Sequence, residues 1–272
     1  MIDPLRQWQP MFDDARDNLH DLPAELLATH RAVERLTAEM ASANRQRPDA
    51  AAVERQCVSD FRAAAHHTKP AWPDVVTIRE TKTATDDHDL RTQVLERAHS
   101  ETAAELLGFI HDSAAVIVTD YLRPAFDRLV TAFEAAASVL PEAPTTDVLM
   151  RAPDKVRKTW LALDDDVSKH ARITATAVRL NRLSPPVHDV EGEFASLTNV
   201  RAIWPDYGVG RTPPWEDTDP RLTRLAIIRA GGDMWLPTSA ERDAAWWAKY
   251  GAQVEKARGN RFALEGFRAV GG

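Results

Sequence analysis

Hydrophobic residues recur at helical spacing through most of the first two thirds of the chain. Within residues 90–140 one row repeats every three or four positions, and it consists of Leu122, Phe126, Leu129, Phe133, Ala136 and Leu140. This spacing places every member of the row on one side of an α-helix. We therefore predict a long helix over 90–140, about 75 Å in length at ~1.5 Å per residue, that bends at Pro124 or breaks into two there. A hydrophobic row on a rod of this length needs cover from other helices or from a second copy of the chain.

Two further segments carry similar rows. Residues 19–43 follow a heptad pattern, which consists of Leu19, Leu22, Leu26, Thr29, Val33, Leu36, Met40 and Ala43. After Pro48 a second helix is predicted, and the two would form an antiparallel hairpin against the long helix. Beyond Pro153 a third row comprises Val156, Trp160, Leu163, Val167, His170 and Thr174. The predicted fold is mainly α, an elongated helical bundle of antiparallel hairpins with coiled-coil-like stripes.

Two short segments do not follow this pattern. Residues 1–18 contain Trp8, Met11 and Phe12 among acidic residues. They form either an arm that docks its aromatic residues onto a partner or a tail that packs on its own domain. Residues 75–83 are rich in Val, Ile and Thr, which makes them the strand candidate of the first half. That strand would pair across subunits or serve as an extended connector.

Composition changes near residue 184. Of the eleven glycines, only Gly108 precedes this point, and tryptophan and proline also become frequent beyond it. We expect a short helix over 220–229 and a longer one that starts at the capping box formed by Thr238 and Glu241. The predicted organisation is an N-terminal arm over 1–18, a long-helix bundle over 19–183 and a small, irregular, Trp/Gly/Pro-rich C-terminal α module over 184–272.

The net charge limits the classes of partner. With 34 basic and 41 acidic residues the formal charge is −7, which disfavours binding to nucleic acid or to anionic lipid. The apolar run at 114–118 is far shorter than the ~20 residues of a membrane span, and no signal-peptide pattern opens the chain. Cys57 is the single cysteine, which is typical of a reducing compartment. We therefore expect a cytoplasmic protein that makes no membrane contact.

Signals for catalysis are weak. Neither a G-x-S-x-G nucleophile turn nor a phosphate-binding glycine loop occurs. Glu96 and His99 form an E-x-x-H pair, the spacing that ferritin-like di-iron bundles use, but the remaining ligands of such a site are missing from the pattern. His170 lies on the third row, where a core position is the simpler interpretation. No cofactor or metal is expected, and a non-enzymatic role is favoured over an enzyme.

The C-terminal module carries the candidate partner-binding residues. Tryptophan, tyrosine and arginine concentrate binding energy at protein interfaces, and the candidates are Trp204, Tyr207, Arg211, Trp215, Trp235 and Trp246. We expect a structural or adaptor protein that forms a homo-oligomer through its long helices and binds a protein partner through this module, in the manner of a phage or prophage assembly component. The alternative is a metal-binding, ferritin-like bundle enzyme that uses Glu96 and His99.

Overall fold

The computed structural model of the protein confirms the mainly α fold. It describes residues 5–65, 76–190, 192–207, 213–215 and 219–269. Among these residues no β-strand forms, and the sole strand-like pairing is an antiparallel bridge between Leu197 and Met234. The helices are α1 Gln9–Arg16, α2 Ala24–Arg45, α3 Ala50–Ala65, α4 Val76–Asp112, α5 Ala114–Val116, a π-helix at Ile117–Leu122, α6 Arg123–Val139, α7 Thr146–Arg151, α8 Asp154–Asn181, α9 Val200–Ile203, α10 Pro220–Arg229 and α11 Ser239–Ala269.

The chain divides into two compact units. The larger unit combines Met1–Pro23 with Ile110–Gly272, and the smaller unit is Ala24–Phe109. The predicted boundary near residue 184 falls inside the larger unit. The division into 1–18, 19–183 and 184–272 therefore uses other boundaries than these two compact units, and it stays a prediction.

In the larger unit the row on α6 is covered by the same chain. Leu122, Phe126 and Phe133 are fully or almost fully buried, and the rest of the row is buried as well. Helix α6 contacts both α8 and α10. Leu163, Val167 and His170 of α8 are buried as well. The hydrophobic effect thus stabilises this packing within one chain. This row is therefore not a free surface for self-association.

The long predicted helix breaks at Ser113, between α4 and α5, and a wide π-turn lies just before Pro124. The N–H of Arg123 donates to the carbonyl of Val118, five residues back, which closes the wide turn of the π-helix. Pro124 then occupies the first turn of α6, where its missing N–H breaks no helical hydrogen bond. The helical backbone therefore runs on through Pro124, and the disturbance before the proline is one π-helical turn.

The strand prediction for residues 75–83 is wrong, because α4 begins at Val76. Residue 75 itself lies outside the described residues. The hydroxyls of Thr81 and Thr85 donate to carbonyl groups one turn earlier, at 2.7 and 2.8 Å. Threonine side chains that are satisfied in this way fit on a helix despite their strand propensity.

The N-terminal residues pack on their own unit. Trp8, Met11 and Phe12 are buried, and α1 contacts α8. The buried carboxylate of Asp14 accepts a hydrogen bond from Nε of Arg172 at 2.7 Å. For residues 5–18, the interpretation that is observed is the tail that packs on its own domain.

The smaller unit is built from α2, α3 and the part of α4 up to Phe109. Side chains of α4 reach α2 and the loop after it, since Arg91 lies 3.4 Å from Glu39 and Asp89 lies 3.1 Å from Arg47. The heptad pattern is not continuous in one helix, since Leu19 and Leu22 precede α2 and belong to the larger unit. On α4, Leu90 and Val94 are 62% and 61% exposed, so this unit keeps an apolar surface of its own.

Candidate functional site

The C-terminal part is held against the bundle by hydrogen bonds from long side chains. The guanidinium group of Arg229 donates to carbonyls just after α6, and Arg123 donates to the carbonyl of Leu236 at 3.0 Å. On α8, the side-chain amide oxygen of Asn181 accepts from the N–H of Ser239 at 3.0 Å. These contacts position the start of α11, and the cavity described next lies beside that helix.

A cavity of about 430 Å³ lies where the loop after α8 meets α9 and α11. We call it the aromatic pocket. Its lining consists of His188, Asp189, Val190, Glu193, Arg201, Trp246 and Tyr250.

One carboxylate on α11 shapes the loop that forms the pocket wall. Asp243 accepts hydrogen bonds from the consecutive N–H groups of Val187, His188 and Asp189 at 2.8, 2.6 and 3.2 Å. Desolvation alone would raise the pKa of Asp243, but these three donors outweigh it and the pKa lies below its usual value. The carboxylate is therefore ionised at neutral pH and keeps the loop in place.

A second carboxylate, Asp189, is only 1% exposed. Its Oδ2 accepts from Nε of Arg242 at 2.8 Å and from the N–H of Phe194 at 3.2 Å. Its Oδ1 is buried and has no hydrogen-bond partner among the described residues. Buried polar atoms are nearly always paired in folded proteins, so the unpaired oxygen costs free energy in this loop.

The third carboxylate, Glu193, is saturated. It accepts from Nζ of Lys249 at 2.7 Å and from the hydroxyl of Tyr250 at 2.8 Å. Nε of Arg201 lies 3.0 Å from its Oε2, but that N–H has no aligned acceptor, so this contact is an ion pair more than a hydrogen bond. Burial raises the pKa of Glu193, but the contacts with Lys249, Tyr250 and Arg201 lower it by more. The pKa of Glu193 is therefore below its usual value.

Aromatic rings form the opposite wall and the rim. The ring of His188 stacks on Trp246 with centroids 5.3 Å apart and an interplanar angle of 18°. Tyr250 packs on Trp246 at 5.4 Å, one turn further along α11. Trp247 is 38% exposed and Val190 is 78% exposed, so the rim presents apolar surface to solvent. Exposed apolar surface is one mark of a binding surface, and here it lies beside a cavity.

The predicted partner-binding residues do not form one site. Trp204, Tyr207 and Trp215 pack edge to face, at centroid distances of 5.3 and 5.7 Å from Trp204. This cluster covers a small hydrophobic core and is mainly structural. Trp215 also lines a separate cavity of about 370 Å³ beside the end of α6.

The other three candidates are placed differently. The indole N–H of Trp235 donates to the carbonyl of Phe194 at 3.0 Å and so fixes the loop behind the pocket. Trp246 alone lines the aromatic pocket, and Arg211 lies outside the described residues. The partner-binding role of all six stays a prediction.

The polar lining of the pocket was not predicted from the sequence. Asp189 and Glu193 lie in an irregular segment without periodicity, and their partners come from α11, more than fifty residues later. For Tyr250 a signal existed, since it follows Trp246 by four positions on a predicted helix.

The alternative metal site gains no further ligands. Glu96 and His99 lie one turn apart on α4. Among the described residues, no group of three or more His, Cys, Asp or Glu side chains is arranged to hold a metal ion. Cys57 is buried in α3, where a thiol is usually unreactive.

No family model, curated protein or solved structure matches the chain. The candidate site therefore has to be judged on its own geometry. Within the described residues no single helix has both the length and the apolarity to cross a membrane; one bent pair, Val76–Asp112 with Ala114–Val139, reaches the threshold on length and composition alone.

Proposed function

We propose that the protein is a non-enzymatic adaptor that docks a partner protein at the aromatic pocket and its rim. The observation that carries this proposal is the combination of an exposed aromatic and aliphatic rim with a rigid, polar interior. The interior is pre-organised by hydrogen bonds that the carboxylates of Asp243 and Glu193 accept. Binding to such a surface requires little reordering of the protein, which favours affinity.

The rim supplies the groups that usually dominate an interface. Trp247 and Val190 are apolar and accessible, and Trp246 is half-buried below them. A tryptophan that loses its remaining exposure on binding contributes a large apolar area, and tryptophan is enriched among residues that dominate binding energy. The charged groups lie deeper, where they can select the partner.

We further propose that the protein self-associates through the smaller unit. Leu90 and Val94 lie one turn apart on α4 and are both more than half exposed, which supports a helix-to-helix contact between copies. The row on α6 is left out of this proposal, because α8 and α10 already cover it.

The docking proposal is tested by capturing partners from the native host with tagged protein and identifying them by mass spectrometry. The captured partner is then purified and its affinity is measured directly. Trp247→Ala should weaken that affinity about tenfold or more, since it removes a rim tryptophan. Leu161→Ser is the matched control, because Leu161 is also exposed but lies on α8 away from the rim. Equal affinity of the wild type and Trp247→Ala would overturn the proposal.

Self-association is tested by light scattering during size-exclusion chromatography. We expect the wild type to form a multimer at micromolar concentration and the double variant Leu90→Glu, Val94→Glu to be monomeric, because two charges would face each partner helix. A wild type that stays monomeric at about 100 µM would remove this part of the proposal.

A further inference from the structure

The side of α4 that carries Leu90 and Val94 faces away from the rest of its unit. Another side of this helix contacts α2, where a ring nitrogen of His88 lies 2.8 Å from the carbonyl oxygen of Ala43. The exposed side continues beyond Leu90 and Val94 in both directions at helical spacing. Its further exposed members are Arg79, Thr83, Asp87, Arg97, Glu101 and Glu105. We call these eight residues the α4 face.

The charges on the α4 face are arranged about its two apolar residues. Asp87 precedes Leu90 by three positions, and Arg97 follows Val94 by three. Further out, Arg79 precedes Leu90 by eleven positions, and Glu105 follows Val94 by eleven. At both distances from the centre of the face, one flank is therefore acidic where the other is basic.

This pattern is complementary to a second copy of itself in the antiparallel direction. Around a two-fold axis beside Leu90 and Val94, the leucine of each copy would meet the valine of the other. Asp87 of each copy would then face Arg97 of the other, and Arg79 would face Glu105. Each of these contacts occurs twice, because a two-fold interface repeats every pair.

A parallel contact in register has the opposite electrostatic consequence. It would place Asp87 against Asp87, Arg97 against Arg97 and Glu101 against Glu101 of the second copy. Like charges at such short distances repel each other. The charge order therefore selects the antiparallel arrangement, although ion pairs at the surface add little affinity individually.

The side chain of Arg97 can serve its own helix and a second copy together. Its Nε donates to Glu101 of the same chain at 2.8 Å. The other N–H groups of the guanidinium remain as donors for the carboxylate of Asp87 in the second copy. Arg97 is fully exposed in the single chain, so a neighbouring helix can reach it.

We propose that two copies of the protein associate antiparallel through the α4 face, about a two-fold axis, with Asp87 of each copy opposite Arg97 of the other. This inference rests on the self-association proposed above and adds the direction and register of the two helices.

The first test reverses charges in the full-length protein and measures the dimer dissociation constant by analytical ultracentrifugation at low salt. Asp87→Arg and Arg97→Asp each turn two attractive contacts into repulsive ones, so each should weaken the dimer about tenfold. The double variant Asp87→Arg, Arg97→Asp restores both contacts with the charges exchanged, and its dissociation constant should lie within about twofold of the wild type. Glu96→Arg is the matched control. Glu96 is exposed on the same helix but follows Val94 by two positions and so lies on another side, and this variant should associate like the wild type.

The second test determines direction by disulfide formation in a Cys57→Ser background, where only introduced thiols can react. Thr83 and Glu101 lie seven positions outside Leu90 and Val94, so they would face each other across the antiparallel contact. A mixture of Thr83→Cys and Glu101→Cys proteins should form a mixed disulfide. Each protein alone should not, because its two thiols would lie about 27 Å apart along the helices, far beyond the reach of a disulfide.

The outcomes separate this inference from the proposal on which it rests. If the wild type stays monomeric at about 100 µM, both fail. If the wild type associates and Leu90→Glu, Val94→Glu dissociates it, self-association through α4 stands. In that case the antiparallel arrangement is still overturned by a double charge reversal that associates as weakly as the single variants, by single variants that associate like the wild type, or by Thr83→Cys protein that crosslinks to itself.

Discussion

Replacement of His170 by leucine should stabilise the protein, and the gain should increase as the pH falls. His170 lies on α8 and is only 4% exposed. Its ring packs between Phe126 and Phe133, at centroid distances of 4.9 and 5.4 Å. Both ring nitrogens are buried without a hydrogen-bond partner among the described residues. Burial, followed by the positive charge of Arg224, lowers the pKa of His170 to about 3. The imidazole is therefore neutral in the folded protein at neutral pH.

The magnitude follows from two contributions. An unpaired buried polar group costs about 1–3 kcal/mol, which leucine would not incur while it fills a similar volume between the two phenylalanine rings. We therefore expect His170→Leu to raise the free energy of unfolding by about 1–2 kcal/mol at pH 7.5.

The second contribution depends on pH. Between the usual histidine pKa of 6.5 and the folded value of about 3, the unfolded chain binds a proton at His170 that the folded protein does not bind. The stability of the wild type therefore falls as the pH drops below 6.5, by about 1.4 kcal/mol per pH unit from this group, and does not change from it above that pH. From about pH 7.5 to about pH 5 the advantage of His170→Leu should grow by about 2 kcal/mol.

The assay is urea unfolding followed by far-UV circular dichroism at both pH values. His20 is also buried and its pKa is lowered chiefly by desolvation, but it is present in both proteins and cancels in the difference. His111→Leu is the matched control, because His111 is 61% exposed, and its difference from the wild type should not grow in this way. A gap between His170→Leu and the wild type that is the same at both pH values would refute the reasoning, as would a loss of stability at neutral pH.

Three further perturbations test local features of the fold. Gly232→Ala should destabilise by about 1–3 kcal/mol, since its Cβ would lie 2.6 Å from Cγ2 of Ile227 and 2.9 Å from the Ile227 carbonyl oxygen. Gly108→Ala, inside α4 with nothing within 4 Å of the new Cβ, should instead stabilise by up to about 1 kcal/mol, and a melting curve that moves in the same direction for both variants would contradict this argument. Thr238→Ala should cost about 1 kcal/mol through loss of the cap at α11, because the Thr238 hydroxyl accepts from the N–H of Glu241 at 3.2 Å, whereas Thr238→Ser should melt close to the wild type.

Helix α10 and the start of α11 were predictable because their signals are local. The predicted helix over 220–229 has the bounds observed for α10, and Gly231 takes the positive φ of 77° that ends it. The capping box forms as expected, with Glu241 accepting from the N–H of Thr238 at 2.7 Å. Each of these features depends on residues within one or two turns of the chain.

The prediction for residues 75–83 failed for a related reason. Strand propensity of Val, Ile and Thr is a weak signal that depends on neighbours in a sheet. No strand is present among the described residues to pair with this segment, and its threonine hydroxyls are satisfied within the helix. Strand propensity without a partner strand therefore predicted a strand where the chain forms the start of α4.

The spacing of the hydrophobic rows, by itself, determined that the chain is helical and which side of α6 and α8 is buried, because a period of 3.6 residues needs only neighbouring positions to show it. The tertiary structure decided what covers those rows and which polar groups meet. It placed α8 and α10 over α6, where the sequence left open a second copy of the chain. It also brought Asp189 to Arg242 and Glu193 to Lys249 across more than fifty residues. Contacts between distant positions depend on how whole helices pack, and no periodic pattern along the chain records that.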